Sequence, residues 1–325
     1  MKKKILVTGA NGHLGNNIVR LLLEEGYTVR AGVRNTANNI AFQGLDVELL
    51  ELDLLKPETI GPALEGVDTV FQCAAVFKHW AADPQKEIIQ ANIDITQNLL
   101  LQPEIKDCRI VYVSSIAALD YNTVPLCETT WNTEAGNPYA VSKTKSEQIA
   151  LEIAKGNKLD LVSVLPSAII GPHCYGHLTP TMRYLAGIIN GNAMVDPCFT
   201  FNYVQSEDVA KGALAAARKG TSGQRYILGN SKAITTSEIF AIAKDFNPAI
   251  QIPPTITRER LMEFAIAQEA VSKTSQTAPL LSVDDVKRYY MSDLSIDLSK
   301  SEQDLAYKNR PIKQALLETF SLLKA

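Results

Sequence analysis

The chain has 325 residues, 46% of them apolar and 21% charged, and a formal net charge of −3. It can bury a large core, and its weak charge gives no reason to expect a nucleic-acid or anionic-membrane partner. No run approaches the roughly 18 apolar residues of a membrane span, and residues 5–7 are too few for a signal-peptide core. Five scattered cysteines without a Cys-x-x-Cys pair predict reduced thiols and a cytoplasmic location.

A glycine-rich turn joins the first predicted strand to the first predicted helix. Gly9, Gly12 and Gly15 are spaced three apart, between an apolar run and an amphipathic helical pattern. Gly9 permits a tight turn, Gly12 lets the backbone approach a pyrophosphate, and Gly15 lets the helix pack close to the strand. An ordinary βα turn is the alternative, but the flanking strand and helix favour a dinucleotide site. The predicted site also includes Asn11, Leu14 and His13, the last through its backbone alone.

The following segments alternate between strand and helix patterns. Further strands are predicted at residues 27–33, 47–52, 69–75, 109–115 and 159–165, and helices include 87–101 and 139–155. This βαβ order predicts an α/β fold, a Rossmann-type doubly wound parallel sheet with a smaller C-terminal substrate lobe. We assign residues 1–172, continued by 200–245, to the dinucleotide-binding domain. Residues 173–199 and 246–325 form the predicted lobe.

The ends of the second and third strands predict the cofactor. An NAD enzyme usually carries an acid about 20 residues after the glycine turn, but no acid occurs here between Glu25 and Asp46. Arg34 could instead pair with a 2′-phosphate, although a solvated surface arginine is the alternative. We therefore expect NADP(H) to be preferred, with NAD(H) possible. After the third strand, Asp53 could accept a hydrogen bond from the adenine, with Leu54 beside it, or could cap the next helical segment.

Ser115, Tyr139 and Lys143 form the predicted catalytic constellation. Tyr139 and Lys143 are four residues apart and share a helical face, and Ser115 ends a neighbouring strand. A lysine ammonium favours the phenolate and can bring a tyrosine, whose pKa is ordinarily near 10, toward its working range. It can also hold the ribose hydroxyls, while the serine donates a hydrogen bond to a substrate carbonyl. These roles predict proton donation during hydride transfer.

Together these residues resemble the extended short-chain dehydrogenase/reductase family, from roughly residue 1 to 229. The resemblance implies that Ser115, Tyr139 and Lys143 are its catalytic serine, tyrosine and lysine, and that Asn92 is its helical asparagine. Residues 27–34 and 166–172 resemble the dihydroflavonol 4-reductase and aldehyde reductase branch, although residues 36–43 lack the basic residue of plant members. By this likeness, further cofactor contacts are Cys73, Ala74, Ala75, Pro166, Ser167, Ala168 and Ile169.

The loop of residues 76–84 is either a substrate wall or local packing. Its candidates for substrate contact, together with Ser115, are Phe77, His79 and Trp80. Residues 77–80, 173–181 and 194–203 are expected to face the pocket, and their only Lys or Arg is Lys78. This composition favours an uncharged or aromatic carbonyl substrate, although Arg183, Arg258 and Arg260 could still reach inward.

The leading hypothesis is an NADP(H)-dependent reductase of an aldehyde or ketone. The alternatives are an NAD-dependent nucleotide-sugar epimerase and a non-catalytic dinucleotide-sensing regulator. Dehydration is not expected, because Ile116 and Ala117 follow Ser115 where dehydratases carry Asp-Glu. We predict no metal site, since His173, Cys174 and His177 lie in a loop with no fourth ligand nearby.

The resemblance also implies a homodimer. Family members commonly pair two helices as a four-helix bundle, which here would be residues 87–101 and the helix from Tyr139. Candidate interface residues at helical spacing are Leu100, Ile149 and Ile153, although core packing would explain them equally well.

Overall fold

A seven-stranded parallel sheet organises the protein, and our computed structural model describes residues 3–134, 136–175 and 178–324. The strands are β1 (Lys4–Thr8), β2 (Thr28–Val33), β3 (Glu48–Glu51), β4 (Thr69–Gln72), β5 (Arg109–Val113), β6 (Asp160–Pro166), β7 (Ala168–Ile170), β8 (Thr200–Phe201), β9 (Tyr203–Gln205), β10 (Arg225–Leu228) and β11 (Ile234–Thr235). The sheet has the order β10-β6-β5-β4-β1-β2-β3. Because β1 lies between β2 and β4, the order reverses there, and ligands bind in the crevice beyond such a reversal.

Helices cover both faces of this sheet. They are α1 (His13–Glu24), α2 (Ile60–Leu64), α3 (Ala91–Leu100), α4 (Pro138–Asn157), α5 (Pro180–Ile189), α6 (Ser206–Lys219), α7 (Thr236–Phe246), α8 (Arg258–Ser275), α9 (Val283–Tyr289), α10 (Ser299–Leu305) and α11 (Ile312–Lys324). Ile5 and Val7 pack on the side of α1 and α6, whereas Leu6 packs with α2, α3 and α4. This alternation buries both faces of β1 and confirms the doubly wound α/β fold.

The predicted strands and helices agree with the structure except near several ends. β4 and β5 stop at Gln72 and Val113, so residues 73–75 and 114–115 lie beyond the sheet. The helix predicted at residues 87–101 is a π-helical turn, Gln85–Gln90, followed by α3. The strand ends therefore place polar and small residues in loops at the carboxyl edge, where side chains can face a ligand.

Two further apolar clusters lie outside the central sheet. One packs α5, α7 and α11 around Ile170 and Tyr203, and the other joins Phe199 to α8 and α9. Helices α5, α8, α9 and α11 fall in the stretches predicted to form the smaller lobe, and the domain division stays a prediction. Within the described ranges, no helix combines the length and apolar character required to cross a membrane.

One of the proposed interface residues is buried. Leu100 is only 2% exposed and packs in the core between α3 and the sheet, so it cannot contribute to an exposed stripe. Ile149 and Ile153 on α4 are half-buried. Helical spacing cannot separate a sheet-facing residue from an interface residue, which is why the choice of Leu100 was wrong.

Removal of the central aromatic side chain should destabilise the sheet strongly. Phe71 lies in β4 with 0% exposure, so Phe71→Ala should lower the free energy of unfolding by about 3–5 kcal/mol. The matched control is Phe264→Ala on α8, where the ring is 44% exposed and the loss should be below about 1 kcal/mol. Urea denaturation checks both, and equal midpoints for the two variants would contradict this description of the core.

Candidate active site

The glycine turn lies directly against the loop that follows β4. Gly9 has φ of +59°, and a Cβ added there would lie 2.9 Å from Ala74 Cα. A Cβ at Gly15 would overlap the carbonyl oxygen of Gly9. Gly12 is the exposed N-cap of α1 and no side chain caps this helix end. The first N–H groups of α1 are therefore directed at a narrow space that suits a pyrophosphate.

Thr8 connects the end of β1 to the backbone that follows β4. Its Oγ1 accepts the backbone N–H groups of Cys73 and Ala74, each at 3.1 Å, and donates to the Gln72 side chain. The hydroxyl thereby orients the backbone of residues 73–75, where cofactor contacts were predicted; Ala75 itself is exposed. The sequence reasoning assigned Thr8 no role, although its place directly before Gly9 was the available signal.

His13 acts through its side chain as well as its backbone. Its Nε2 lies 3.1 Å from the carbonyl oxygen of Gly171, and Asn17 donates to the carbonyl of Pro172 at 3.0 Å. Burial lowers the pKa of His13 to about 4, so the neutral ring donates from Nε2 to that carbonyl. The structure thus adds a side-chain contact, and the expectation that His13 faces the cofactor through its backbone alone stays a prediction. The imidazole ties the turn to the segment after β6.

That segment contains four of the predicted cofactor contacts. Pro166 ends β6, Ala168 and Ile169 lie half-buried in β7, and Ser167 donates its backbone N–H to Leu228. The Oγ of Ser167 and the Nδ1 of His13 are buried without a hydrogen-bond partner. Unpaired buried polar atoms beside the glycine cradle fit a site that a polar dinucleotide completes.

The residues predicted to contact the adenosine part of the cofactor differ in their exposure and in their contacts. Arg34 directly follows β2, is exposed, and forms no salt bridge within the described ranges. Asp53 accepts the N–H of Leu55 at 3.1 Å, so its carboxylate organises the turn after β3. Leu54 is 4% exposed and its side chain belongs to the core, which leaves only its backbone for a ligand. Asn11 is exposed and Leu14 is buried under the turn.

The three predicted catalytic residues are brought together by α4 and the end of β5. Pro138 occupies the first turn of α4, and Asn137 caps the helix by accepting the N–H of Ala140 at 3.1 Å. Ser115 hydrogen-bonds to the Tyr139 phenol and also accepts the Ala117 N–H at 3.1 Å. Lys143 Nζ donates to the carbonyl of Val113 at 3.2 Å.

Burial controls the charge of this group. Burial raises the pKa of Tyr139 to about 12, although the Ser115 hydrogen bond opposes the change. Burial lowers the pKa of Lys143 to about 8, and the Glu147 carboxylate opposes that change. The prediction that Lys143 brings the tyrosine pKa toward neutrality is therefore wrong, because desolvation of the phenolate dominates. At neutral pH the phenol is protonated and the lysine is an ammonium.

Asn92 joins the loop after β4 to the catalytic helix. Its Oδ1 accepts the Val76 N–H at 2.8 Å, and its Nδ2 donates to the Ile88 carbonyl at 2.9 Å and to Ser142 Oγ at 3.3 Å. The side chain also satisfies a carbonyl of the π-helical turn, which the sequence could not reveal. The catalytic role that the resemblance implies for Asn92 stays a prediction.

Aromatic rings of the same loop cover the tyrosine. The ring centroids of Phe77 and His79 lie 5.1 and 4.8 Å from that of Tyr139. Trp80 is half-buried and is not part of this ring cluster. Burial lowers the pKa of His79, so this ring is neutral near pH 7. The loop thus supplies an apolar and aromatic wall beside Tyr139.

A cation from the C-terminal lobe also lies near this wall. Arg288 on α9 is buried and stacks over the Tyr121 ring at 4.3 Å, and its charge acts on the pKa of His79. Lys78 is instead largely exposed and pairs with Glu87 at 3.7 Å. The sequence reasoning missed Arg288, because no motif marks it and about 150 residues separate it from Tyr139.

No group of three or more potential metal ligands occurs among the described residues. His173 hydrogen-bonds to Tyr175 at 3.1 Å, and His177 lies outside the described residues.

A protein-family comparison matches residues 5–229 to the NAD dependent epimerase/dehydratase family, so the chain belongs to that family. A cinnamoyl-CoA reductase of Medicago truncatula is 32% identical over 272 residues, which cover 77% of this chain and 82% of the relative. The crystal structure of gox2253 matches with a TM-score of 0.84 and 29% identity over 99% of this chain and 98% of its own.

A yeast methylglyoxal/isovaleraldehyde reductase, Gre2, solved with NADPH, has the same fold. Its TM-score is 0.77 at 21% identity, with 98% of each chain covered. A putative dihydroflavonol 4-reductase of Synechocystis sp. is 30% identical over 321 residues, which cover 96% of this chain and 92% of the relative. The family match and the sequence relatives confirm the resemblance to the extended short-chain dehydrogenase/reductases and their dihydroflavonol reductase-like branch. The family description supports a nicotinamide dinucleotide as the cofactor.

The glycine cradle predicts a selective effect of one added methyl group. Gly15→Ala should weaken NADPH and NADH binding at least about tenfold, because the methyl would separate α1 from the turn. The matched control is Gly187→Ala in α5, where an added Cβ meets no atom within 4 Å. Calorimetric titration measures the cofactor affinity of both variants. Unchanged binding by Gly15→Ala would show that the glycine turn is not part of the cofactor site.

Proposed function

We propose that this protein is an NADP(H)-dependent reductase of an aldehyde or ketone, with Tyr139 as the proton donor. The observation that carries this proposal is the hydrogen bond between Ser115 and the Tyr139 phenol, with Lys143 one helical turn after Tyr139 on α4 and a glycine turn that fits a dinucleotide. The curated relative named for carbonyl reduction supports it. We expect a homodimer in the cytoplasm, by the family resemblance and the composition.

A bound nicotinamide supplies the hydride that reduces the carbonyl carbon. Tyr139 donates its phenolic proton to the carbonyl oxygen, so hydride and proton together give the alcohol. The Ser115 hydroxyl can stabilise charge that develops on that oxygen. Lys143, as an ammonium, can hold the ribose hydroxyls and favours the phenolate after proton loss. Phe77 and His79 offer an aromatic surface to the substrate beside Tyr139.

An epimerase is the second candidate, because the family that matches the chain includes epimerases. It would need to hold an NAD through a full cycle of oxidation and reduction, and to anchor a charged nucleotide diphosphate. Phe77, His79 and Tyr121 give the wall aromatic character, and the buried cation Arg288 already has Glu134 and Asp284 within 4 Å. This balance of charge favours the reductase.

Removal of the Tyr139 hydroxyl should lower turnover without weakening cofactor binding. Wild-type protein should consume NADPH in proportion to added aldehyde or ketone, and Tyr139→Phe should lower kcat by about 10²–10⁴-fold with cofactor affinity nearly unchanged. NADPH absorbance with a carbonyl panel measures turnover. The matched control is Tyr175→Phe, at a hydroxyl that contacts His173 and Arg20 instead. Tightly retained NAD, with sugar-nucleotide interconversion and no net NADPH consumption, would decide for the epimerase.

Arg34 should determine the cofactor preference. A charge-assisted contact with the 2′-phosphate is worth about 1.5–3 kcal/mol, so NADPH should bind about 10- to 100-fold more tightly than NADH. Arg34→Ala should remove most of this difference and leave NADH affinity unchanged. Arg258→Ala, at another exposed arginine, is the control. Equal wild-type affinities for the two cofactors in calorimetry would contradict the assignment.

A further inference from the structure

A buried ion pair lies directly behind the catalytic residues. The Glu147 side chain is 0% exposed and that of Arg225 is 7% exposed. Arg225 donates from Nε to Glu147 Oε1 at 2.9 Å and from Nη2 to Oε2 at 3.0 Å, a bidentate pair. Ser163 Oγ donates to the first oxygen at 2.6 Å and Ser114 Oγ to the second at 2.7 Å. Both carboxylate oxygens therefore accept two hydrogen bonds.

The network connects the elements that carry Ser115, Tyr139 and Lys143. Glu147 lies one helical turn after Lys143 on α4, Ser114 adjoins Ser115, and Ser163 belongs to β6. Arg225, at the start of β10, also donates to the carbonyls of Glu128 and Thr130, at 2.7 and 2.8 Å. Its guanidinium lies 3.6 Å from the centre of the Trp131 ring. The loop before α4 is thereby attached to the same pair.

A buried pair of this kind is weak evidence for a role in stability alone. Replacement of such a pair by apolar side chains is often neutral, because desolvation offsets the attraction between the charges. Here the carboxylate lies at position i+4 from the lysine, where helical side chains are neighbours. The geometry thus offers a second role for Glu147, beyond holding α4 on the sheet.

We propose that Glu147, held by Arg225, is a positioning residue that acts on Lys143 from one helical turn away and keeps its ammonium at the end of β5. The expected effect on the kinetics rests on the proposed function, whereas the effect of Glu147 on the charge of Lys143 does not. The other titratable groups around Lys143 are neutral: burial raises the pKa of Cys73 to about 12, that of Tyr139 to about 12, and that of Tyr112 still further. The Glu147 carboxylate raises the pKa of the Lys143 ammonium, and the Arg225 guanidinium paired with it is the other charged group of this network.

The direction of the effect follows from burial. The Lys143 ammonium is present below its pKa of about 8 and is lost above it. Glu147 raises that pKa, so Glu147→Gln should lower it by about one pH unit. The alkaline decline of kcat/KM for carbonyl reduction should move to lower pH by the same amount. Tyr139 remains protonated throughout this range and does not produce the decline.

The experiment titrates the lysine directly. Protein labelled with carbon-13 at the lysine ε-carbon is followed by NMR from pH 6 to 10, and Lys143→Arg identifies the signal. Glu147→Gln should shift its midpoint by about one unit, whereas Glu147→Asp, which keeps the charge, should restore most of the wild-type value. Ser163→Ala removes one hydrogen bond from the same carboxylate; it should lower thermal stability but leave the midpoint unchanged.

Glu147→Gln leaves Arg225 buried without its counter-charge, so the double variant Glu147→Gln/Arg225→Met is the second test. It should fold and show a smaller shift in the same direction. An unchanged Lys143 midpoint in the variants that fold, or an equal shift in Ser163→Ala, would overturn the proposal. If wild-type protein reduces no carbonyl compound, the proposed function fails, and the NMR titration still decides the role of Glu147.

Discussion

The candidate site depends on the contact between the glycine turn and the backbone after β4. This contact brings the start of α1 and residues 73–75 to the same crevice, and only residues without a Cβ permit it at Gly9 and Gly15. Thr8 then fixes the backbone on the opposite side of the turn with two hydrogen bonds. The sheet order reverses between β1 and β4, so this contact lies beside the crevice in which a dinucleotide would bind.

Burial gives the catalytic group its chemistry by acting in opposite directions on two side chains. A phenolate and an ammonium both lose hydration in the interior, so the pKa of Tyr139 rises and that of Lys143 falls. The result is a protonated phenol, which suits proton donation to a reduced carbonyl. It also leaves Lys143 near its titration midpoint at mildly alkaline pH, where a neighbouring carboxylate has a measurable influence.

The C-terminal lobe completes the site from a distant part of the sequence. Arg288 on α9 reaches Tyr121 and influences His79, which in turn packs against Tyr139. Under the proposed function, we expect the loop of residues 76–84 and helix α9 to take part in substrate selection. Arg225 similarly joins the last strand of the sheet to the loop that precedes α4.

The sequence by itself determined the parallel α/β fold, the glycine turn and the constellation of Ser115, Tyr139 and Lys143. Each depends on local patterns, such as spacing by three, a four-residue helical interval and apolar strand runs, which need no knowledge of distant contacts. The tertiary structure alone decided the pKa directions, the side-chain role of His13, the burial of Leu100 and the contributions of Arg288 and Glu147. These properties depend on how far water is excluded and on which residues meet across about 30 to 170 positions of the chain. The spacing of residues along the sequence records neither.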